Sequence, residues 1–132
     1  MNISWIKNLV KLAVGVIFFQ TLFFKFSGAE ESVYIFSTLG IEPWGRIGSG
    51  FIELLIVLLF LIPTIVWLGA LLGFFTMLGA ILAHIFIIGI EVSQDHGLLF
   101  SLAMFNLIGC SFLLYCEREM VFKILQQLKK KI

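Results

Sequence analysis

Residues 65–90, IVWLGALLGFFTMLGAILAHIFIIGI, contain no Asp, Glu, Lys or Arg. An α-helix needs about 20 apolar residues to cross the ~30 Å hydrocarbon core of a bilayer, so this stretch spans with some tilt. Working back, Pro63-Thr64 interrupts a second apolar run that reaches from about Ile47 to Ile62. A proline lacks an amide donor and restricts the residue before it, which predicts a tight turn between two helices. Working forward, a short polar loop, Glu91 to His96, leads into a run from Gly97 to Tyr115. The N-terminal run, Leu9 to Phe26, is interrupted by Lys11, by Gln20-Thr21 and, near its end, by Lys25. With no water in the hydrocarbon core, each run must satisfy its own backbone, and none alternates in polarity as a barrel strand does. The expected fold is therefore all-α. It is one domain over residues 1–132, a polytopic bundle of four transmembrane helices at approximately 9–26, 47–62, 65–90 and 97–115.

Composition points the same way. Apolar residues make up 61% of the chain and charged residues 13%, and the mean hydropathy is +1.11. That is too little polar surface for a soluble domain. A net charge of +1, with no long basic run before the C-terminus, argues against nucleic acid as a partner. Fifteen Phe and three Trp suit a lipid-facing surface with aromatic residues near the interfaces. Cys110 and Cys116 are six residues apart on one helix, which turns them about 120° from each other. They read as packing residues and not as a disulfide or metal pair. Lys7 and Lys11 before an apolar run, with Ser27-Gly28-Ala29 after it, resemble a signal peptide. Lys25 intrudes just before that site, so the segment is read as a retained helix.

The flanking segments set the orientation. Lys7 and Lys11 lie near the N-terminus, and Arg118, Lys123 and Lys129 to Lys131 lie in the tail. The two longer loops are mostly acidic, with Glu30, Glu31 and Glu42 in one and Glu91 and Asp95 in the other. The positive-inside rule then places both termini and the Pro63 turn in the cytoplasm and the acidic loops outside. The tail, residues 117–132, is amphipathic, with Met120, Val121, Ile124, Leu125 and Leu128 at helical spacing and its lysines available for headgroups. Residues 31–40 carry Val33, Tyr34, Ile35, Phe36 and Leu39. They read either as a short surface helix or re-entrant cap stopped by Gly40, or as an ordered loop.

An ionisable residue inside a membrane costs several kcal/mol unless paired or hydrated, so each one is a candidate for function. By a helix rise of about 1.5 Å per residue, Glu53 lies roughly 9 Å below the outer surface and His84 at a similar depth. Lys25 sits near the outer end of the first helix, and Asn106 lies deeper on the fourth. Four polar groups from four helices thus fall in the outer half of the bilayer. Arg46, Gly50 and Glu53 share one face of the second helix. Gly69, Gly73, Met77, Ala80 and His84 form a stripe on the third, where the Gly69-x-x-x-Gly73 spacing permits close helix approach. One reading is structural: Lys25 snorkels to headgroups, and Glu53 and His84 hydrogen-bond each other to fix register. The other is an outward-facing pocket for a polar headgroup. A quinone suits it, with a ring oxygen accepting from His84 or Lys25 and an isoprenoid tail left in lipid. A single membrane histidine gives poor metal or haem ligation, so no metal is expected.

Several short motifs keep a spacing that resembles the DoxX family of bacterial four-helix membrane proteins. They are Phe24-Lys25-Phe26-Ser27-Gly28, Phe36-Ser37-Thr38-Leu39-Gly40-Ile41-Glu42-Pro43-Trp44, Gly48-Ser49-Gly50-Phe51-Ile52-Glu53-Leu54 and Leu61-Ile62-Pro63-Thr64. Trp67-Leu68-Gly69-Ala70-Leu71-Leu72, His84 and Gly97-Leu98-Leu99-Phe100-Ser101-Leu102 complete the series, from about Leu12 to Leu114. Thr64 departs from the family, where a basic residue is expected after the proline. The resemblance implies a multi-pass protein of a bacterial inner membrane with Lys25, Glu53 and His84 at the polar membrane positions. Family relatives include membrane subunits of thiosulfate:quinone oxidoreductase and members linked to oxidative-stress complexes. The expectation is a small subunit of a quinone-linked redox assembly, with Arg46 and Asn106 as further ligand candidates. No flavin, nicotinamide or iron–sulfur motif is present, so another chain would supply the electron chemistry. The competing expectation is a scaffold whose polar residues hold the helices together. A proton or solute pathway is the weakest reading, because the cytoplasmic half lacks ionisable residues. Partners are expected in the lipid bilayer, as other membrane proteins or a second copy.

Overall fold

The computed structural model describes residues 2–132, which form six α-helices and no strand. Helix α1, Ile3–Ser27, starts six residues before the apolar run because the Asn2 side chain caps it, accepting from the Ser4 amide at 3.2 Å. It ends at Gly28, whose φ of 70° lets the Ala29 N–H return to the Phe24 carbonyl at 3.1 Å. Helix α2, Glu30–Thr38, answers the question left open for residues 31–40: they form a helix. Glu30 and Glu31 sit in its first turn, where carboxylates favour the helix dipole. Gly40 (φ 75°) stops it, with the Ile41 N–H returning to the Phe36 carbonyl at 3.0 Å.

Helix α3 runs Trp44–Phe60, and the following turn carries Pro63 at the first position of a short 3-10 segment, Pro63–Ile65. There its missing amide costs nothing. Helix α4, Val66–Ala83, continues into a π-helical turn, His84–Ile88, before the loop to α5, Leu98–Cys116. Helix α6, Arg118–Lys131, follows with no buried residue.

Helices α1, α3, α4 and α5 enclose one core, with α1 against α3 and α5, and α4 against the same two. Val14, Phe18, Ile56, Phe60, Val66, Ala70, Cys110 and Leu113 fill it. The Gly69–His84 stripe does turn inward. A Cβ on Gly73 would meet Cys110 Sγ at 2.8 Å and Phe18 at 3.3 Å, and one on Gly69 would meet Phe60 at 2.9 Å. Both cysteines are free, Cys110 buried and Cys116 half-buried.

The outer surface is apolar. Phe19, Phe23, Phe51, Phe75, Phe86 and Ile108 are all more than half exposed, an arrangement that water would penalise and lipid would not. Three helical segments are long and apolar enough to cross a membrane: Ile3–Ser27, Pro63–Ile88 and Leu98–Cys116. Helix α3 is 17 residues, about 25 Å at 1.5 Å per residue. The basic N-terminal and C-terminal segments share one end of the molecule, joined by Lys7 Nζ to Glu117 Oε1 at 2.5 Å.

Candidate functional site: a polar cavity beneath helix α2

The end of the molecule opposite that ion pair is not closed-packed. A cavity of about 510 Å³ lies under α2, walled by α1, α3, the end of α4 and α5. Lys25, Glu53, His84 and Asn106 all stand in its wall, one from each of these elements. Glu53, His84 and Asn106 are 1%, 5% and 1% exposed. Ile17, Met77, Leu99 and Leu102 supply apolar wall, and Ile35 and Phe36 of α2 form the roof.

The pairing differs from the two structural expectations. Lys25 does not snorkel; its ammonium donates to Glu53 Oε1. Neither does Glu53 bond to His84. The π turn at the end of α4 accommodates one extra residue per turn, and it clasps the histidine to its own backbone. The Gly89 N–H donates to the His84 carbonyl at 2.8 Å, while His84 Nδ1 lies 2.9 Å from the Gly89 carbonyl oxygen. A carbonyl only accepts, so Nδ1 carries the hydrogen, and in the neutral ring Nε2 presents its lone pair. The His84 ring also meets Phe100 edge to face at 5.8 Å between centroids.

Arg46, a ligand candidate by its face of the helix, does not line the cavity. Its Nε contacts both oxygens of Glu42 at 2.8 and 3.1 Å, and its NH1 donates to the Lys25 carbonyl. That carbonyl belongs to the last turn of α1, where it also accepts from the Gly28 N–H at 3.3 Å. Arg46 therefore ties the end of α1 to the start of α3 and positions Lys25 from behind.

Asp95 was not anticipated. Its Oδ1 accepts from the amides of Val92 (3.0 Å) and Gly97 (2.8 Å), and its Oδ2 from Leu99 (3.0 Å). Burial raises its pKa, but the amides of Leu99, Val92 and Gly97 together hold it below the ordinary carboxylate value. These bonds fix a loop in which Ser93, Gln94 and His96 all have positive φ, a region non-glycine residues rarely adopt. The signal in the sequence was an aspartate just ahead of an apolar run, the mark of a helix start.

Among the described residues, no three His, Cys, Asp or Glu side chains converge as a metal ligand set. The site is instead a mostly apolar chamber with a buried ion pair and a few fixed polar groups, the form of a small-molecule pocket. Comparison with family models, with curated proteins and with solved structures finds no match to this chain.

Proposed function

We propose that the chain is a DoxX-like, multi-pass protein of a bacterial inner membrane whose cavity binds a quinone-type amphiphile on behalf of a larger redox assembly. Helix α3, with the three long apolar segments, makes four crossings. Both basic termini lie on the cytoplasmic side, and α2 lies on the outer side. The observation that carries the reading is the gathering of Lys25, Glu53, His84 and Asn106 around one chamber with apolar walls. A buried charge pair in a membrane is costly to keep, and a chamber large enough for a ring and the start of a tail gives it a use. The order of short motifs from Phe24 to Leu102 supports the kinship. The chain carries the binding site, and the assembly's other members carry the electrons.

The ion pair itself favours a second reading, a scaffold in which Lys25 and Glu53 satisfy each other and lock α1 to α3. Native mass spectrometry of the protein, extracted gently from its own membranes, separates the two. Under the proposal a lipophilic small molecule is retained and is lost in His84→Ala or Asn106→Leu. A stoichiometric protein partner with no small molecule in either form favours the scaffold.

A further inference from the structure

The cavity is asymmetric in hydrogen-bonding character. Glu53 Oε2 and Asn106 Oδ1 are buried and have no hydrogen-bond partner among the described residues. Thr21 stands beside Glu53, but its single hydroxyl hydrogen goes to the Phe18 carbonyl at 3.0 Å. His84 directs its Nδ1 hydrogen to Gly89, so in the neutral ring the other nitrogen offers a lone pair. Around the buried end of the cavity, Glu53 and, in the neutral ring, His84 thus present acceptors only, while Asn106 presents an acceptor and a donor. Donors come from Lys25, one of whose three hydrogens is spent on Glu53 Oε1, and from the Asn106 amide nitrogen.

A ring carbonyl can take a hydrogen from Lys25 or from the Asn106 amide but has none to give. It leaves the two buried oxygens unmet, and an unmet buried acceptor costs more than a made bond returns. A hydroxyl does both jobs, accepting from Lys25 while donating to Glu53, Asn106 or His84. The expected direction of bonding at His84 is thereby reversed: the histidine receives.

We infer that the pocket selects an amphiphile whose head carries hydroxyl hydrogens over one whose head offers only carbonyl oxygens. This rests on the amphiphile-pocket reading above, and within a quinone couple it means that the hydroquinone is the form held. Binding alone is inferred, with no electron transfer at this site.

The test is calorimetric titration of the full chain in detergent, without oxygen, against four probes with the same alkyl tail. They are a hydroquinone, its quinone, a resorcinol that cannot become a quinone, and the dimethyl ether of that resorcinol. Hydroquinone and resorcinol are expected to bind at least about tenfold more tightly than quinone and ether, the scale of one buried acceptor left unmet. Equal binding of hydroquinone and quinone, with resorcinol no better than its ether, overturns the inference and leaves a quinone pocket standing. Binding of the resorcinol but of neither quinone nor hydroquinone overturns the assignment to the hydroquinone and removes the quinone reading. No binding of any probe overturns both. In Asn106→Leu, close in shape, the resorcinol-to-ether ratio is expected to fall several-fold; an unchanged ratio overturns the assignment of the preference to this amide.

Discussion

The two ends of the same four helices are built on opposite principles. Toward Pro63 and α6, small residues are used to bring helices together: Gly69 receives Phe60, and Gly73 receives Phe18 and Cys110. Toward α2, small residues on α4 and α5 leave space. Gly79, Ala80, Ala83 and Ala103 border the cavity, and a Cβ on Gly79 would meet nothing within 4 Å. Glycine on one helix therefore means contact at one end and vacancy at the other. The closed half is held by dispersion and shape, whereas the open half depends on a few polar bonds between specific partners.

The contrast is most easily broken at the ion pair. Lys25→Met leaves the Glu53 carboxylate buried beside no cation and is expected to cost about 3 kcal/mol, read as a lower unfolding midpoint in detergent. Lys25→Met combined with Glu53→Leu removes both charges and is expected to recover most of that loss. Failure to recover would mean that the open half is held by something other than the pair. Next comes a matched glycine comparison along α4. Gly73→Ala forces Cys110 and Phe18 to move and is expected to cost about 1–3 kcal/mol. Gly79→Ala is expected to cost nothing, or to stabilise the helix by up to about 1 kcal/mol. Equal effects at the two positions would erase the distinction between the halves.

Asp95→Ala is expected to cost about 1–2 kcal/mol, concentrated in faster hydrogen exchange at the amides of Val92, Gly97 and Leu99. The same bonds make a pH prediction. The folded pKa of Asp95 lies below its ordinary value of 3.8, so between the two values the unfolded state binds more protons than the folded one. The stabilisation is fully present above the unfolded value and is lost as the pH falls through the folded one. Protection factors at those three amides should therefore fall on acidification, and less so in Asp95→Asn. The smallest effect is expected at the far end, where the Lys7–Glu117 pair is partly exposed. Lys7→Ala should change stability by less than about 1 kcal/mol, and less still in high salt.

The helices were legible because lipid leaves few choices. Residues 65–90 and the run from Gly97 to Tyr115 matched α4 with its π turn, and α5, within a few positions, since backbone bonds must close within each span. Depth was legible too. The fixed rise of a helix was enough to suggest that Lys25, Glu53, His84 and Asn106 meet near one level. Which of them touch was not legible, because that depends on rotation about each helix axis. At His84 the rotation is reset by a π turn that no periodicity announces, and the ring ends on Gly89 instead of Glu53. Arg46 shared a helical face with Glu53, yet Glu42 and the Lys25 carbonyl at the end of α1 claimed it. For α2, nine residues were too few for a pattern to separate helix from loop. Its two ends, Glu30-Glu31 and Gly40, held the information.

A structure determined by crystallography from bicelles, using protein extracted directly from its own membrane, bears most directly on the claim that the space under α2 is a binding site. The account expects continuous elongated density in the chamber, with a head within hydrogen-bond distance of Glu53 Oε2, Asn106 and His84 Nε2 and a tail along Ile17 and Met77. A chamber closed by inward movement of α2, or filled only by scattered water with the Lys25–Glu53 pair unchanged, would contradict it.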